Sequence, residues 1–89
     1  MLVAVPKTIR SSGQIALTKI LVKERKNAAL SQSSLAERLR CHQSLVARIE
    51  SGERRIDVVE LIIIARAIGI RPEEIVARIS EVVPPDESI

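Results

Sequence analysis

Few residue types in this chain of 89 residues could perform catalysis or hold a metal ion. The chain contains one His, His42, and one Cys, Cys41, whereas a structural zinc site takes about four Cys or His ligands. A single Cys also excludes an internal disulfide framework. The sequence shows neither a Ser–His–Asp set nor a glycine-rich phosphate loop. We therefore expect that the protein is not an enzyme and that it uses no cofactor and no metal.

The chemistry that remains is electrostatic, because the basic residues are concentrated in the first part of the chain. Residues 1–55 contain 11 Lys and Arg and 4 Asp and Glu, whereas residues 56–89 contain 3 and 7. This asymmetry favours a basic surface for a polyanion and a second surface with another role; the alternative is a random division of surface charge. The chain has no Phe, Tyr or Trp, which argues against single-stranded nucleic acid, whose bases usually stack on aromatic rings.

The elements that must position these charges are short helices. Apolar residues recur at helical spacing, and no segment pairs with another as strands would. Ser11 with Gln14, and Asp57 with Glu60, have the spacing of capping boxes. The sequence therefore predicts an all-α fold with an aliphatic core. The predicted helices span about residues 12–28, 32–40, 43–50, 58–68 and 72–83.

The chain is long enough for one small domain. We expect a flexible arm over residues 1–10, a folded domain over 11–83 and an acidic tail over 84–89. The apolar start is too short for a signal peptide and contains Pro6. The most apolar run, residues 61–70, is also too short to cross a bilayer. We therefore expect a cytoplasmic protein without membrane contact.

The second and third predicted helices have the spacing of a helix-turn-helix, with about three residues between them. Ala36 is small where the helices must cross, Cys41 suits a buried position in the turn, and Val46 and Ile49 point inward from the third helix. The opposite, outward side of the third helix then carries Gln43, Ser44, Ala47 and Arg48.

Across about residues 19–80 the chain resembles the Xre/Cro-type helix-turn-helix repressors, which include lambdoid phage repressors and Cro proteins. The resemblance implies a compact five-helix, lambda-repressor-like domain that binds double-stranded DNA and regulates transcription. The matching residues are Leu30-Ser31-Gln32, Leu35-Ala36-Glu37-Arg38-Leu39, Gln43-Ser44, Val46, Arg48-Ile49-Glu50, Gly52, Leu61, Ala65, Ala67 and Gly69.

The resemblance also implies which residues touch DNA. Gln43, Ser44 and Arg48 fall on base-reading positions, where Gln pairs with adenine and Arg with guanine, and Ala47 offers at most a methyl contact to thymine. The alternative for these residues is a solvated polar face. The residues expected at phosphates are Ser31, Gln32, Arg40, His42, Arg54 and Arg55.

Several of these phosphate-binding predictions have alternatives. Ser31 and Gln32 also suit helix capping, and Arg54 and Arg55 also suit solubility. His42 either touches phosphate or simply caps the third helix, and the cap is the favoured interpretation. Arg40 stands where the family usually has Gly, so either the backbone avoids the left-handed conformation or Arg40 reaches a phosphate in return.

The resemblance further implies an ion pair between Arg25 and Glu50 that sets the angle of the third helix. One recognition helix contacts only a few base pairs, so specific binding by this class usually takes two copies about 34 Å apart. We therefore expect a homodimer, with ordinary core packing as the alternative for any one interface residue. The residues expected at the dimer interface are Ile63, Ile75, Ile79, Val82 and Val83.

The function predicted from these features is a repressor that binds a palindromic operator as a dimer. One alternative is an antitoxin that represses its own operon and binds a toxin as its protein partner. A restriction–modification controller is a further member of the same class. The last alternative is a protein-interaction module that has lost DNA binding.

Overall fold

A computed structural model of the protein describes residues 11–89, and the arm predicted over residues 1–10 lies outside this part. Within the described part there are five helices and no strand, so the all-α prediction is confirmed. None of these helices is long and apolar enough to span a membrane. In chain order the helices are α1 (Ser12–Asn27), α2 (Gln32–Leu39), α3 (Gln43–Ser51), α4 (Val58–Ile68) and α5 (Pro72–Val82).

Side-chain caps begin three of these helices. The carboxylate of Asp57 accepts from the Glu60 amide at 2.7 Å, and the Glu60 carboxylate accepts from the Asp57 amide at 3.0 Å, so this predicted capping box is complete. The prediction at Ser11 is only half right. Ser11 Oγ accepts from the backbone amide of Gln14 at 3.2 Å, but the Gln14 side chain does not accept from the backbone amide of Ser11. The Gln14 side chain instead lines a groove beside the α3–α4 loop.

The core is aliphatic and draws on all five helices. Leu21, Leu35, Val46, Ala65 and Ile75 are each at most 2% exposed. Two apolar residues of the predicted first helix, residues 12–28, lie outside the core. Ile15 lies in the first turn and is 47% exposed, and Ala28 is exposed because α1 has already ended at Asn27.

The position of α5 overturns one of the expected interface residues. Ile75 is wholly buried in the core and has no surface to offer a second copy. The end of α5 approaches the start of α1 closely, because a Cβ at Gly13 would lie 2.9 Å from Val83 Cγ2. Arg78 Nη1 also donates to Glu24 Oε2 at 3.0 Å. These contacts hold α5 along α1.

Candidate nucleic-acid interface

The turn between α2 and α3 is held in an unfavourable backbone conformation at Arg40. Its φ of 56° and ψ of 46° are left-handed, so the alternative in which the backbone avoids this region is wrong. The turn is closed by the Arg40 amide donating to the Glu37 carbonyl at 3.1 Å and by the Cys41 amide donating to the Ala36 carbonyl at 3.0 Å. A side chain in this conformation costs about 1–2 kcal/mol relative to a right-handed one. The turn keeps this geometry without glycine.

His42 is the N-cap residue of α3, but its side chain makes no capping hydrogen bond. The favoured interpretation, in which His42 caps the helix, is therefore confirmed for the position of the residue but not for a bond from its imidazole. The backbone of His42 does contribute, because its carbonyl accepts from the Leu45 amide at 3.0 Å. The exposed imidazole is left free beside the start of the helix.

Arg25 and Glu50 form the ion pair that joins α1 to the end of α3. Arg25 Nε lies 2.6 Å from Glu50 Oε2, and Arg25 Nη2 lies 2.9 Å from Glu50 Oε1. The third nitrogen of Arg25 donates to the Leu30 carbonyl at 2.8 Å. The two side chains are only 9% and 7% exposed, and the hydrogen bond that Arg25 donates to Glu50 raises the pKa of Arg25. Such a two-point contact fixes the orientation of α3 against α1.

The same carboxylate continues into a chain of hydrogen bonds that reaches the outer face of α3. Gln32 Nε2 donates to Glu50 Oε1 at 2.9 Å, and Gln43 Nε2 donates to Gln32 Oε1 at 2.7 Å. The amide of Gln32, expected at a phosphate, is thus engaged at both ends by protein partners. Gln43 keeps its Oε1 and one N–H of its amide for another partner. The spacing of these residues along the sequence did not predict this series of hydrogen bonds, which connects three helices.

The outward residues of α3 lie on one face, as the helix-turn-helix spacing predicts. Gln43, Ser44 and Arg48 are exposed and Ala47 is half-buried, while Val46 and Ile49 are buried behind them. Arg48 forms a long ion pair, with its Nε 3.9 Å from a Glu53 oxygen, and its side chain is 60% exposed. This face presents an amide, a hydroxyl and a guanidinium in one row.

The two arginines of the α3–α4 loop have different surroundings. Arg54 donates to both carboxylate oxygens of Glu60, at 2.9 and 2.8 Å, and to the Arg55 carbonyl at 2.7 Å. The hydrogen bond from Arg54, with the one from the Asp57 amide, lowers the pKa of Glu60 from 4.5 to about 2. Arg55 is exposed and forms no ion pair with a carboxylate of residues 11–89. The loop thus has one arginine that holds its shape and one that points outward.

Comparison with known proteins fits this arrangement. The helix-turn-helix family model matches residues 21–75, which run from α1 into α5. The protein belongs to the XRE-type helix-turn-helix family. Among solved structures, an XRE-family like protein from Pseudomonas syringae pv. tomato str. DC3000 superposes with a TM-score of 0.79 at 36% identity, over 88% of this chain and 95% of that chain. No curated protein matches the sequence. The chain is therefore an XRE-family DNA-binding regulator.

Proposed function

We propose that this XRE-family protein is a transcriptional repressor that binds a palindromic operator as a homodimer. In each copy α3 enters the major groove and reads base edges with Gln43, Ser44 and Arg48, while Ala47 lies against a thymine methyl. Phosphate contacts come from the backbone N–H groups at the start of α2, at Ser31 and Gln32, from Arg40 and His42 in the turn, and from Arg55. Repression follows from occupancy, because a bound dimer blocks access to the promoter.

The observation that supports sequence-specific reading is the chain of hydrogen bonds from Arg25 through Glu50 and Gln32 to Gln43. Adenine offers N7 as an acceptor and its N6 amino group as a donor in the major groove. Gln43 has an N–H and an oxygen left for such a pair after its bond to Gln32. A side chain held by neighbours loses less conformational entropy on binding. Gln43 is therefore placed to discriminate adenine from the other bases.

An exposed apolar surface supports the dimer. Two adjoining grooves share Val76 in their lining, one between α4 and α5 and one along α5. We call their apolar side chains the α4–α5 strip and propose that a second copy covers it. The strip contains two of the expected interface residues, Ile79 and Val83, and excludes Ile75. Its members are Val58, Leu61, Ile62, Pro72, Val76, Ile79 and Val83, and Leu61 also belongs to the core.

Neighbouring apolar residues widen this surface beyond the strip. Val59 and Ile63 are 65% and 51% exposed on α4, and Val82 is 45% exposed at the end of α5. An α-helix that is apolar on nearly every side is normally buried, and Glu60 and Arg66 are the only charged residues of α4. The outer face of α4 is therefore a surface that a partner would cover.

Selection of bound duplexes from a random DNA library at about 0.15 M salt tests the proposed recognition of bases by α3. We expect an inverted repeat with half-site centres about 10 base pairs apart, or a whole-turn multiple. The Gln43→Ala variant should lose preference at one adenine in each half-site, at a cost of about 1–3 kcal/mol. Ala77→Glu serves as a control, because Ala77 is exposed on α5 and lines neither groove. Recovery of no motif would contradict sequence-specific recognition.

The dimer is tested separately by sedimentation with interference optics, since the chain has no Tyr or Trp to absorb light. Val76→Glu should give a monomer, because it places a charge in the middle of the strip, whereas Ala77→Glu adds the same charge and should leave the dimer intact. A wild-type protein that sediments as a monomer would contradict the dimer. The strip would then be a surface for a different protein partner, as the antitoxin alternative requires.

A further inference from the structure

Three lysines on the outer side of α1 have charges that no acidic group of the described residues balances. Lys19, Lys23 and Lys26 are spaced at i, i+4 and i+7, which places them on one face of the helix. All three are exposed, and none forms an ion pair with a carboxylate of residues 11–89. We call this set the α1 lysine ridge. Its charge is available to an external anion.

The acidic residue within the same stretch of α1 is directed elsewhere. Glu24 follows Lys23 directly, but its Oε2 accepts from Arg78 Nη1 of α5 at 3.0 Å. Glu24 is thus occupied by a contact that holds α5 on α1. The sequence places an acid beside the lysines, whereas the fold separates their charges.

The α1 lysine ridge borders a groove that ends at Glu50, the residue that orients α3. The carboxylate of Glu50 accepts two hydrogen bonds from Arg25 and one from Gln32, so its negative charge is balanced before any ligand arrives. The groove therefore carries net positive charge. Its lining residues are Thr18, Lys19, Val22, Lys23, Lys26, Asn27 and Glu50.

The position of this groove relates the lysines to the base-reading face. Glu50 connects through Gln32 to Gln43, over hydrogen bonds of 2.9 and 2.7 Å. The groove therefore adjoins the residues that connect α1 to the start of α2 and to Gln43 on the outer face of α3.

We propose that the α1 lysine ridge is a second phosphate-binding surface, which follows the DNA backbone outside the contacts of α2 and the α3–α4 loop. This inference rests on the proposed function, because it names a further part of the same DNA site. Lysine contacts to phosphate carry no sequence information. The ridge therefore sets affinity and salt dependence, and leaves the choice of operator to α3.

The test is the salt dependence of binding to labelled duplexes, one with the selected operator and one with a scrambled sequence. Each phosphate contact contributes about 0.9 to the slope of log K against log salt concentration. Changing Lys19, Lys23 and Lys26 to Gln should lower the slope by about 2.7 per protomer on both duplexes. Between 50 and 200 mM salt, a wild-type protomer should then lose about 40-fold more affinity than the triple variant.

Matched variants separate charge from structure. Changing the same three lysines to Arg keeps the charge and should keep the wild-type slope, while Arg71→Gln removes one exposed charge far along the chain and should change it little. Lys, Gln and Arg have similar helix propensities, and circular dichroism checks that each variant is folded. The single Lys→Gln variants should each lower the slope by about 0.9, so the test does not depend on the triple variant.

Three results would overturn the inference. An unchanged slope in the triple Gln variant would leave the protein a DNA-binding regulator but remove the ridge from its DNA site. An equal fall in slope with the triple Arg variant would assign the effect to altered packing. A wild-type protein that binds neither duplex at any salt concentration would contradict the proposed function and the ridge together.

Discussion

At the residue scale, two turn residues hold left-handed backbone without being glycine. Ala29 follows α1 with a φ of 59°, and Arg40 follows α2 with a φ of 56°. At Arg40 the turn also sets where α3 starts, and therefore how the outward residues of α3 are presented. The proposed contact of Arg40 with a phosphate would offset this strain in a complex with DNA.

We expect the strain at Arg40 to be measurable by comparing two truncations. Arg40→Gly and Arg40→Ala both remove the side chain, but only glycine adopts the left-handed conformation without penalty. The Gly variant should have a free energy of unfolding about 1 kcal/mol higher than the Ala variant. Urea unfolding followed by circular dichroism measures this difference. Equal stabilities would mean that the turn rearranges when Arg40 is replaced.

The Arg25–Glu50 pair gives a second prediction at this scale. Glu50→Ala leaves the Arg25 guanidinium in a site where only 9% of the side chain is exposed, and loss of one partner of a buried pair costs about 3–5 kcal/mol. The double variant Arg25→Leu with Glu50→Leu removes both charges and should recover most of that loss. Chemical unfolding of the three proteins tests this. A double variant as unstable as Glu50→Ala would show that packing, and not the unpaired charge, causes the loss.

At the scale of elements, the start of α4 holds the α3–α4 loop in place. Glu60 completes the capping box with Asp57 and also binds both ends of the Arg54 guanidinium. Arg54 and Arg55 are neighbours in the sequence with the same chemistry. Only the path of the loop decides that Arg54 faces Glu60 and that Arg55 faces outward.

This arrangement predicts a pH dependence of stability. The pKa of Glu60 is lowered from 4.5 to about 2, so the stabilising charge is fully present above pH 4.5 and is lost as the pH falls towards 2. Glu60 and Arg54 are each one-third exposed, and solvent screening reduces the gain to about 1 kcal/mol. The Glu60→Gln variant should be less stable than the wild-type protein by that amount at pH 7.

The difference between the two proteins, measured by urea unfolding at pH 7, 4 and 2.5, should shrink as the pH falls. This comparison cancels the titration of the other carboxylates, which both proteins share. A difference that stays constant down to pH 2.5 would contradict the role of the Glu60 charge.

At the scale of the whole molecule, the domain is small and leaves much apolar surface uncovered. A chain of this size buries a limited share of its surface on folding and is modestly stable alone. If the α4–α5 strip is covered by a second copy, dimerisation adds to stability by mass action. The strip therefore bears on both DNA recognition and folding.

We expect the thermal midpoint of the wild-type protein to rise when its concentration is increased over about a hundredfold range. The midpoint of Val76→Glu should be independent of concentration, and that of Ala77→Glu should follow the wild-type protein. Circular dichroism in cells of different path length measures all three. A wild-type midpoint that does not change with concentration would argue that folding and association are uncoupled.

The residue pattern alone was enough to predict the order of the helices, the aliphatic core and the helix-turn-helix. These features depend on local periodicity, caps and turn residues, which a linear pattern records. Three helices end one residue earlier than predicted, α3 ends one residue later, and α4 matches its predicted range. The outward row on α3 followed from the same periodicity, because the buried positions Val46 and Ile49 define the opposite face.

Which polar groups remain available to a partner depends on how the helices pack. Arg54 is bound by Glu60, the Gln32 amide bridges Glu50 and Gln43, and Glu24 faces Arg78 instead of the nearby lysines. The burial of Ile75 also depends on packing. Helical spacing cannot distinguish a core position from an interface position on a helix with apolar residues on more than one face. In each case the partner lies on another element or across a loop. Its position depends on how the helices pack, and no spacing along the chain encodes that.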